Sequence, residues 1–452
     1  MTEELTITAV DSHVDTEADS HVDTERQSDR ERLQQIAEPT TGIITGVRRV
    51  SVPPDEPSVE SYVVEREDFT PFTDGNPMGH SEGGCAFTKD SALVAAYGEA
   101  IERYCGCLYR EEHLRTAVFN DLADPALDPT RVVNFAAHQR ATMDGDTELC
   151  GTEDQIAWVA GVDLESGATT QIPAQLVYLS YPPAAEPFIR NPISTGLAAG
   201  QDRAMAIENG LAECIERDAF MLYYLTATEL PRIALDTVPP RIQRLSRRVT
   251  ANGCELTVLD ATTDLGVPVA IAVCIDRACR PAVSVAAAAG LDAASVIEDA
   301  LAEVIQTRLA TIHRLDATDR TPGEIDPADI DSFAERGLLW ADHDRIADLA
   351  FWIDSERTTS FAGFASDTPT SLVDAVTDSG YDAYAVDVTT REIAALDVTV
   401  QRVIVPRLQP LYLVERLRYL GGGRLESVPV EMGYRTTPID PAAINTVPHP
   451  FP

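Results

Sequence analysis

Glu213-Cys214-Ile215-Glu216-Arg217 is the stretch on which the fold turns. It lies in a run of helical periodicity, where residues i, i+3 and i+4 share one face, so two carboxylates and a guanidinium project together. That is a grip suited to a metal ion and a phosphate. The pattern recurs 114 positions upstream as Glu99-Ala100-Ile101-Glu102-Arg103, in another helix of small residues. Ninety positions downstream, Ile297 to Gln306 aligns without a gap on Ile207 to Glu216, so Glu303 stands where Glu213 stood. Further upstream, Ala198-Ala199-Gly200 and Ala288-Ala289-Gly290 precede the marked glutamates by the same distance. Three related helices follow. A spacing of about 100 residues suits repeated subdomains within one body better than a solenoid, whose units run to roughly 20 to 50 residues.

Around these helices the chain reads as strands. Alternating apolar residues at Ile43 to Val47 and Ser61 to Val64 predict two strands, and Met78 to Gly84 a glycine-rich loop opening a helix from about Asp90 to Tyr109. Such a loop can offer backbone N–H groups to phosphate, although no Walker pattern follows. The apolar runs Ile156–Val162 and Ile172–Leu179, separated by Glu165-Ser166-Gly167, predict a hairpin. A small-residue loop, Asn191 to Gly200, leads into the central helix at about 202–225. A helix near 239–251, strands at about Glu255–Leu259, Val267–Cys274 and Ala282–Ala287, and the third helix at about Asp292–His313 come next. An acidic, proline-containing insertion with a short helix, Thr321 to Asp348, precedes a helix at Leu372–Asp378 and strands at Ala383–Val388 and Val398–Val405. Strands alternating with amphipathic helices predict an α/β protein, and the hairpins point to mixed rather than all-parallel sheets.

The charge balance narrows the partners. Of 452 residues, 35 are basic and 73 acidic, a net charge of −38, and Lys89 is the only lysine. Such a surface repels nucleic acid and anionic membranes, and its self-repulsion calls for salt, so the composition fits a protein of a high-salt cytoplasm. No secretory segment and no run of 18 apolar residues is present, which again points to the cytoplasm. The eight cysteines contain no Cys-x-x-Cys pair, and free, mostly buried thiols are expected. Residues 1–40 carry a tandem repeat, Asp11–Glu17 and Asp19–Glu25, in an acidic segment with little to bury. Metal binding by the two His-Val-Asp-Thr units is the alternative to a disordered tail, which is the expectation here. The body then runs from 41 to 452.

Five carboxylates, Glu99, Glu102, Glu213, Glu216 and Glu303, lie on apolar-backed helix faces. Carboxylate oxygens suit Mg²⁺, and Arg103 and Arg217 can hold phosphate oxygens bidentately. A single exposed i,i+4 pair of this kind is worth only ~0.3–0.5 kcal/mol and would carry no function. Three related copies weigh against that reading.

The run Asn191–Ala219, the segment Gly98–Arg103, the strand Val400–Pro406 and the alternating prolines Pro448-His449-Pro450-Phe451-Pro452 together resemble the YcaO family, over about residues 45 to 452. In particular they resemble its azoline-forming cyclodehydratases. The resemblance implies a YcaO fold of internally repeated helix-on-sheet subdomains that binds ATP and Mg²⁺. It also implies Glu99, Glu102, Glu213 and Glu216 as metal ligands, Arg103 and Arg217 near the phosphates, and Glu303, Gln306 and Arg308 as further nucleotide contacts. The metal is expected between the first two helices, with the third supplying the nucleotide contacts. Pro448, Pro450 and Pro452 would reach the active site and support cyclodehydration of Cys, Ser or Thr in a ribosomally made precursor peptide. A leader-binding, adenylating-enzyme-like partner is expected as a separate chain, and a homodimer is compatible with the sequence. Thioamide formation, a non-catalytic docking scaffold and a metal-dependent hydrolase are the alternatives. The sequence departs from the family pattern at three places: Ala95 replaces a common serine, Glu82-Gly83-Gly84 replaces Gly-Lys-Gly, and Arg407 follows Val405-Pro406 where glycine is common.

Overall fold

The computed structural model describes residues 28–37, 42–69, 79–141, 148–182 and 186–451. Strands β1 (Ile44–Arg49), β2 (Glu60–Arg66) and β3 (Ser81–Ala86) form an antiparallel sheet in that order. A second sheet takes β4 (Arg115–Val118), the hairpin β5 (Gln155–Asp163) and β6 (Thr169–Pro173), and β7 (Leu197–Gly200). The third holds β8 (Arg232–Ile233), β9 (Glu255–Asp260), β10 (Val269–Ile275), β11 (Val283–Ala289) and the short β12 (Thr358–Thr359). The last strands, β13 (Tyr384–Asp387) and β14 (Thr399–Ile404), slot between β5 and β7 to complete the second sheet. Among these strands β8 and β12 pair parallel and the other pairings are antiparallel.

Each repeated helix springs from a strand at the edge of a different sheet. Helix α1 (Lys89–Cys107) follows β3, α2 (Arg203–Leu225) follows β7, and α3 (Ala293–Ala317) follows β11. Their starts are set by Thr88, Asp202 and Asp292, whose side chains accept from the backbone N–H groups of Ser91, Met205 and Ser295 at 3.3, 2.9 and 2.7 Å. Glu99, Glu213 and Glu303 each stand eleven residues beyond these caps. The packing is cyclic. Helix α1 rests on β3 and also on β7, α2 on β7 and β11, and α3 on β11 and β3. Equivalent faces of the three helices therefore meet at one centre.

From residue 81 the expected glycine-rich loop is a strand. Residues 81–86 pair with β2, Gly83 opposite Val63 and Gly84 opposite Tyr62, because a Cβ on Gly84 would overlap the backbone of Ala92 and Ala96 and keep α1 off the sheet. Leu197–Gly200 is likewise strand rather than loop, and the Ile172–Leu179 run gives a short strand followed by a helical turn, Ala174–Val177. Of the expected tail, residues 28–36 are helical, with Leu33 and Ile36 buried, so apolar burial reaches upstream of residue 40. Residues 1–27, with both His-Val-Asp-Thr units, lie outside the described residues. Thr321 to Asp348 contributes more than one helix: besides α4 (Phe333–Trp340) it holds three short 3-10 segments, and Leu338, Leu339 and Trp340 join the main core. Helix α5 (Leu372–Asp378) packs on α2, as does α6 (Arg424–Glu431). Seven of the eight cysteines are buried, Cys279 is exposed, and all are free thiols.

Candidate active site between three strand-helix units

The first glutamate of each acidic pair on α1 and α2 is held in the same way. One oxygen of Glu99 accepts from the N–H of Gly83 on its own strand at 3.2 Å, and the other from Arg103 at 3.3 Å. One oxygen of Glu213 accepts from the N–H of Gly196 at 2.8 Å, and the other from Arg217 at 3.3 Å. The second position of the pattern links a helix to the neighbouring unit. Glu102 of α1 accepts from the N–H of Ala199 on β7 at 2.7 Å. Gln306 of α3 lies against β3, where a Cβ on Gly83 would come 3.0 Å from its amide nitrogen. Glu216 is paired with Arg217 and lies within the field of Asp299 of α3, and Glu303 of the same helix feels the charge of Glu216. Glu99, Glu102, Arg103, Glu213, Glu216, Arg217, Glu303 and Gln306 are thus brought together.

Negative charge is in excess there. Burial pushes the Glu102 carboxyl up to about 8 and that of Glu216 up to about 7, and it holds Glu303 well above the usual carboxylate range. The donors are carboxylate oxygens, the set that Mg²⁺ prefers, and a cation would supply the missing counter-charge. The arrangement is nevertheless not a finished coordination shell. Among the described residues no group of three or more His, Cys, Asp or Glu side chains stands ready to hold a metal ion, and the oxygens of Glu99 and Glu213 and one of Glu102 accept from Gly83, Gly196, Ala199, Arg103 and Arg217. The residues fit Mg²⁺ by the chemistry of their donors, carboxylate oxygens gathered from neighbouring helices.

Arg308 does not belong to this centre. Five residues beyond Glu303 it points roughly 140° round the helix. There it bonds both oxygens of Glu56 at 2.7 and 2.8 Å, Asp276 at 2.8 Å and the Pro281 carbonyl at 2.9 Å. The expected nucleotide contact is instead a buried tie between α3, the third sheet and the chain before β2.

The proline segment does reach the centre. The Pro448 carbonyl accepts from the Trp340 indole at 3.0 Å and the Tyr224 hydroxyl at 3.1 Å, and the His449 carbonyl from Arg336 at 3.0 Å. Pro448, His449 and Pro450 are buried. Phe451 then lays its ring over Arg217, 4.2 Å from guanidinium to ring centroid, and edge-on against Phe220 at 4.5 Å. Pro452 lies outside the described residues.

Several neighbours escaped the sequence reading. Glu82, read as part of a loop, is buried beside Glu99 and Arg103, with one oxygen bonded to Arg66 of β2 at 2.9 Å and the other without a partner. Alternation along β3 is the signal that points it inward. Asp299 carries a sequence signal too, since it aligns with Asn209 of the second helix. Arg402 on β14 is buried near Glu213, and burial lowers it to about 10.

Known proteins share this architecture. A solved heterocyclase in complex with substrate and cofactor superposes at TM-score 0.77 with 23% identity, over 94% of this chain and 57% of the other. The YcaO protein of Methanopyrus kandleri, solved with AMPPCP and Mg²⁺, gives TM-score 0.60 at 21% identity, over 86% of this chain and 91% of the other. An uncharacterised protein of Methanothermobacter thermautotrophicus is 31% identical over 236 residues, 51% of this chain and 57% of its own length. The chain spans about half the length of the curated relatives it matches. The family model for the ATP- and Mg²⁺-binding YcaO cyclodehydratases matches residues 83–409, which take in α1, α2, α3 and all five glutamates. The chain belongs to the YcaO family.

Proposed function

We propose that the chain catalyses Mg-ATP-dependent cyclodehydration of Cys, Ser or Thr residues in a ribosomally made precursor peptide, giving thiazoline or oxazoline rings. The observation that carries this reading is the meeting of equivalent glutamates from three strand-helix units beside two arginines, with Phe451 of the proline segment packed on one of them. In it, Glu99, Glu102, Glu213 and Glu216 hold Mg²⁺, Arg103 and Arg217 hold phosphate oxygens, and Glu303 and Gln306 face the nucleotide. Bound Mg-ATP would supply a phosphoryl group to the oxyanion left when the side-chain thiol or hydroxyl adds to the preceding amide carbonyl, so that the amide oxygen departs as phosphate and the amide N–H proton is lost as the C=N bond of the ring forms.

The chain's own residues then have three tasks. Planar guanidiniums match phosphate oxygens with paired N–H donors, which favours arginine over lysine at positions 103 and 217. The buried face of α2, from Phe220 to Leu225, keeps water from one side of the centre, so its charges interact strongly. Pro448 and Pro450 fix an extended backbone with little entropy left to lose, and hold it beside Arg217. A precursor peptide and a leader-binding partner protein complete the reaction in this reading.

The test is a reconstitution in high salt with precursor, partner and Mg-ATP. Loss of about 18 Da per ring, the mass of water, accompanied by ATP consumption, is expected. A gain of about 16 Da, sulfur replacing oxygen, would assign thioamidation instead. No ATP consumption in the presence of a precursor would refute an enzymatic role.

A further inference from the structure

Arg217 is held on its edges by carboxylates and on its face by a ring. Its Nη1 is bonded to Glu216 and its Nη2 to Glu213 at 3.3 Å, while Nε is buried without an acceptor. All five N–H groups of a guanidinium lie in its plane, so a contact on the face leaves every donor available. The ring on that face, Phe451, is 1% exposed and has little room to move. It abuts Phe220, which stacks on Tyr224 at 6.0 Å with 7° between planes and meets Trp352 edge-on at 5.4 Å. Behind the ring, the backbone is tied by Trp340, Tyr224 and Arg336, and the His449 ring bonds the Tyr412 carbonyl at 2.9 Å. The equivalent Arg103 shares the carboxylate bond but has no ring on its face among the described residues.

We infer that Phe451 is a positioning residue for Arg217, fixing the plane in which its N–H groups pass from Glu213 and Glu216 to a phosphate oxygen of the nucleotide. The inference rests on the nucleotide reading above. A guanidinium released by its carboxylates and lacking the ring is free to swing out of the plane, and the two-point match to phosphate is lost. The proline segment thereby acts on the nucleotide through one contact, apart from any part it takes in ring closure.

The experiment measures the Kd of the full chain for Mg-AMPPCP by calorimetry in high salt, in a cycle of wild type, F451L, R217K and the double variant. Leucine keeps most of the buried volume and removes the ring's quadrupole; lysine keeps the charge and removes the plane. F451L should weaken binding about tenfold in the arginine background, as a desolvated cation–π contact implies, and at most about twofold in the lysine background. In steady state F451L should raise the KM for ATP while leaving kcat within about twofold, and F451W should restore most of the loss. Equal weakening in both backgrounds would mean that the ring acts through packing alone and would overturn the inference, as would unchanged binding in F451L. A wild-type chain that binds no Mg-AMPPCP would instead remove the nucleotide reading itself.

Discussion

Acidification should loosen the Pro448–Phe451 segment through His449. The imidazole is fully buried and donates from Nε2 to the Tyr412 carbonyl at 2.9 Å, which leaves Nδ1 as a bare acceptor without a partner. Protonation would place a second N–H where nothing accepts it. Burial first, and then the guanidinium of Arg336 with Arg418 and Arg217 beyond, hold the group well below its ordinary value of 6.5. The sign follows from where protons bind. Above pH 6.5 the ring is neutral in both folded and unfolded chains and contributes nothing; below it the unfolded chain takes up a proton that the native one refuses, so stability falls with pH. At pH 5, about 1.5 units lower, the loss is about 2 kcal/mol, or roughly thirtyfold in the docking equilibrium. Lowering the pH also relieves the self-repulsion of a chain with 38 excess negative charges, which works the other way, so the comparison must be internal. The variant H449Q keeps a donor for the Tyr412 carbonyl and does not titrate. Trp340 bonds the segment and Trp352 packs on Phe220 beneath it, so tryptophan emission during urea unfolding at constant salt reports the region. Between pH 7.5 and 5 the wild type should lose about 2 kcal/mol more than H449Q. Parallel pH profiles would refute the assignment of the ring as buried and neutral.

R308M should lower stability by about 3 kcal/mol in urea, because it strands Glu56 and Asp276, while the Kd for Mg-AMPPCP stays unchanged; a lost affinity would return Arg308 to the nucleotide site. R424M should cost about 3–5 kcal/mol by the same measurement, since Asp218 is fully buried and Arg424 is its partner at 2.7 Å, shared with Asp264. G196A should destabilise by about 2 kcal/mol or more and weaken Mg-AMPPCP binding: φ is +83°, the added Cβ falls on the Val403 carbonyl, and the shifted N–H releases Glu213. G83A meets only the mobile end of the Gln306 side chain, and its thermal midpoint should move far less than that of G196A.

Local signals carried a large part of the architecture. The three acidic helices were legible because helical periodicity survives in any context, and the alignment of Ile207–Glu216 with Ile297–Gln306 pointed to repeated units before any packing was visible. Leu372–Asp378 coincides with its helix, and the strands near 255–289 fall within two residues of the expected bounds. Residues 81–84 were misread because glycine is depleted in strands; here the need is tertiary, an approach of α1 so close that Gly84 has no room for a side chain. Resemblance put Arg308 on the right helix but says nothing of which side of the helix it occupies, and its partners are Glu56 and Asp276. Nothing local showed that the segment at 321–348 would supply the indole that holds Pro448, or that Phe451 would cover Arg217, because both contacts join positions more than 100 residues apart.

The cyclic packing also gives a physical reason for the one place where the third unit breaks the pattern. Fourteen residues beyond each cap stands a side chain directed toward the next unit: Glu102, Glu216 and Gln306. Glu102 meets a free backbone donor, the N–H of Ala199. Gln306 closes the ring against Gly83, but the N–H of Gly83 is already given to Glu99, and Glu82 next to it is a buried carboxylate with one oxygen unpartnered. A glutamate at 306 would find no backbone donor left on Gly83 and would add charge where burial already drives Glu102, Glu216 and Glu303 toward the protonated form. The amide fills the same space with donors and no charge. The break at position 306 therefore fits the geometry of the unit that closes the ring, and it leaves paired glutamates on α1 and α2 alone.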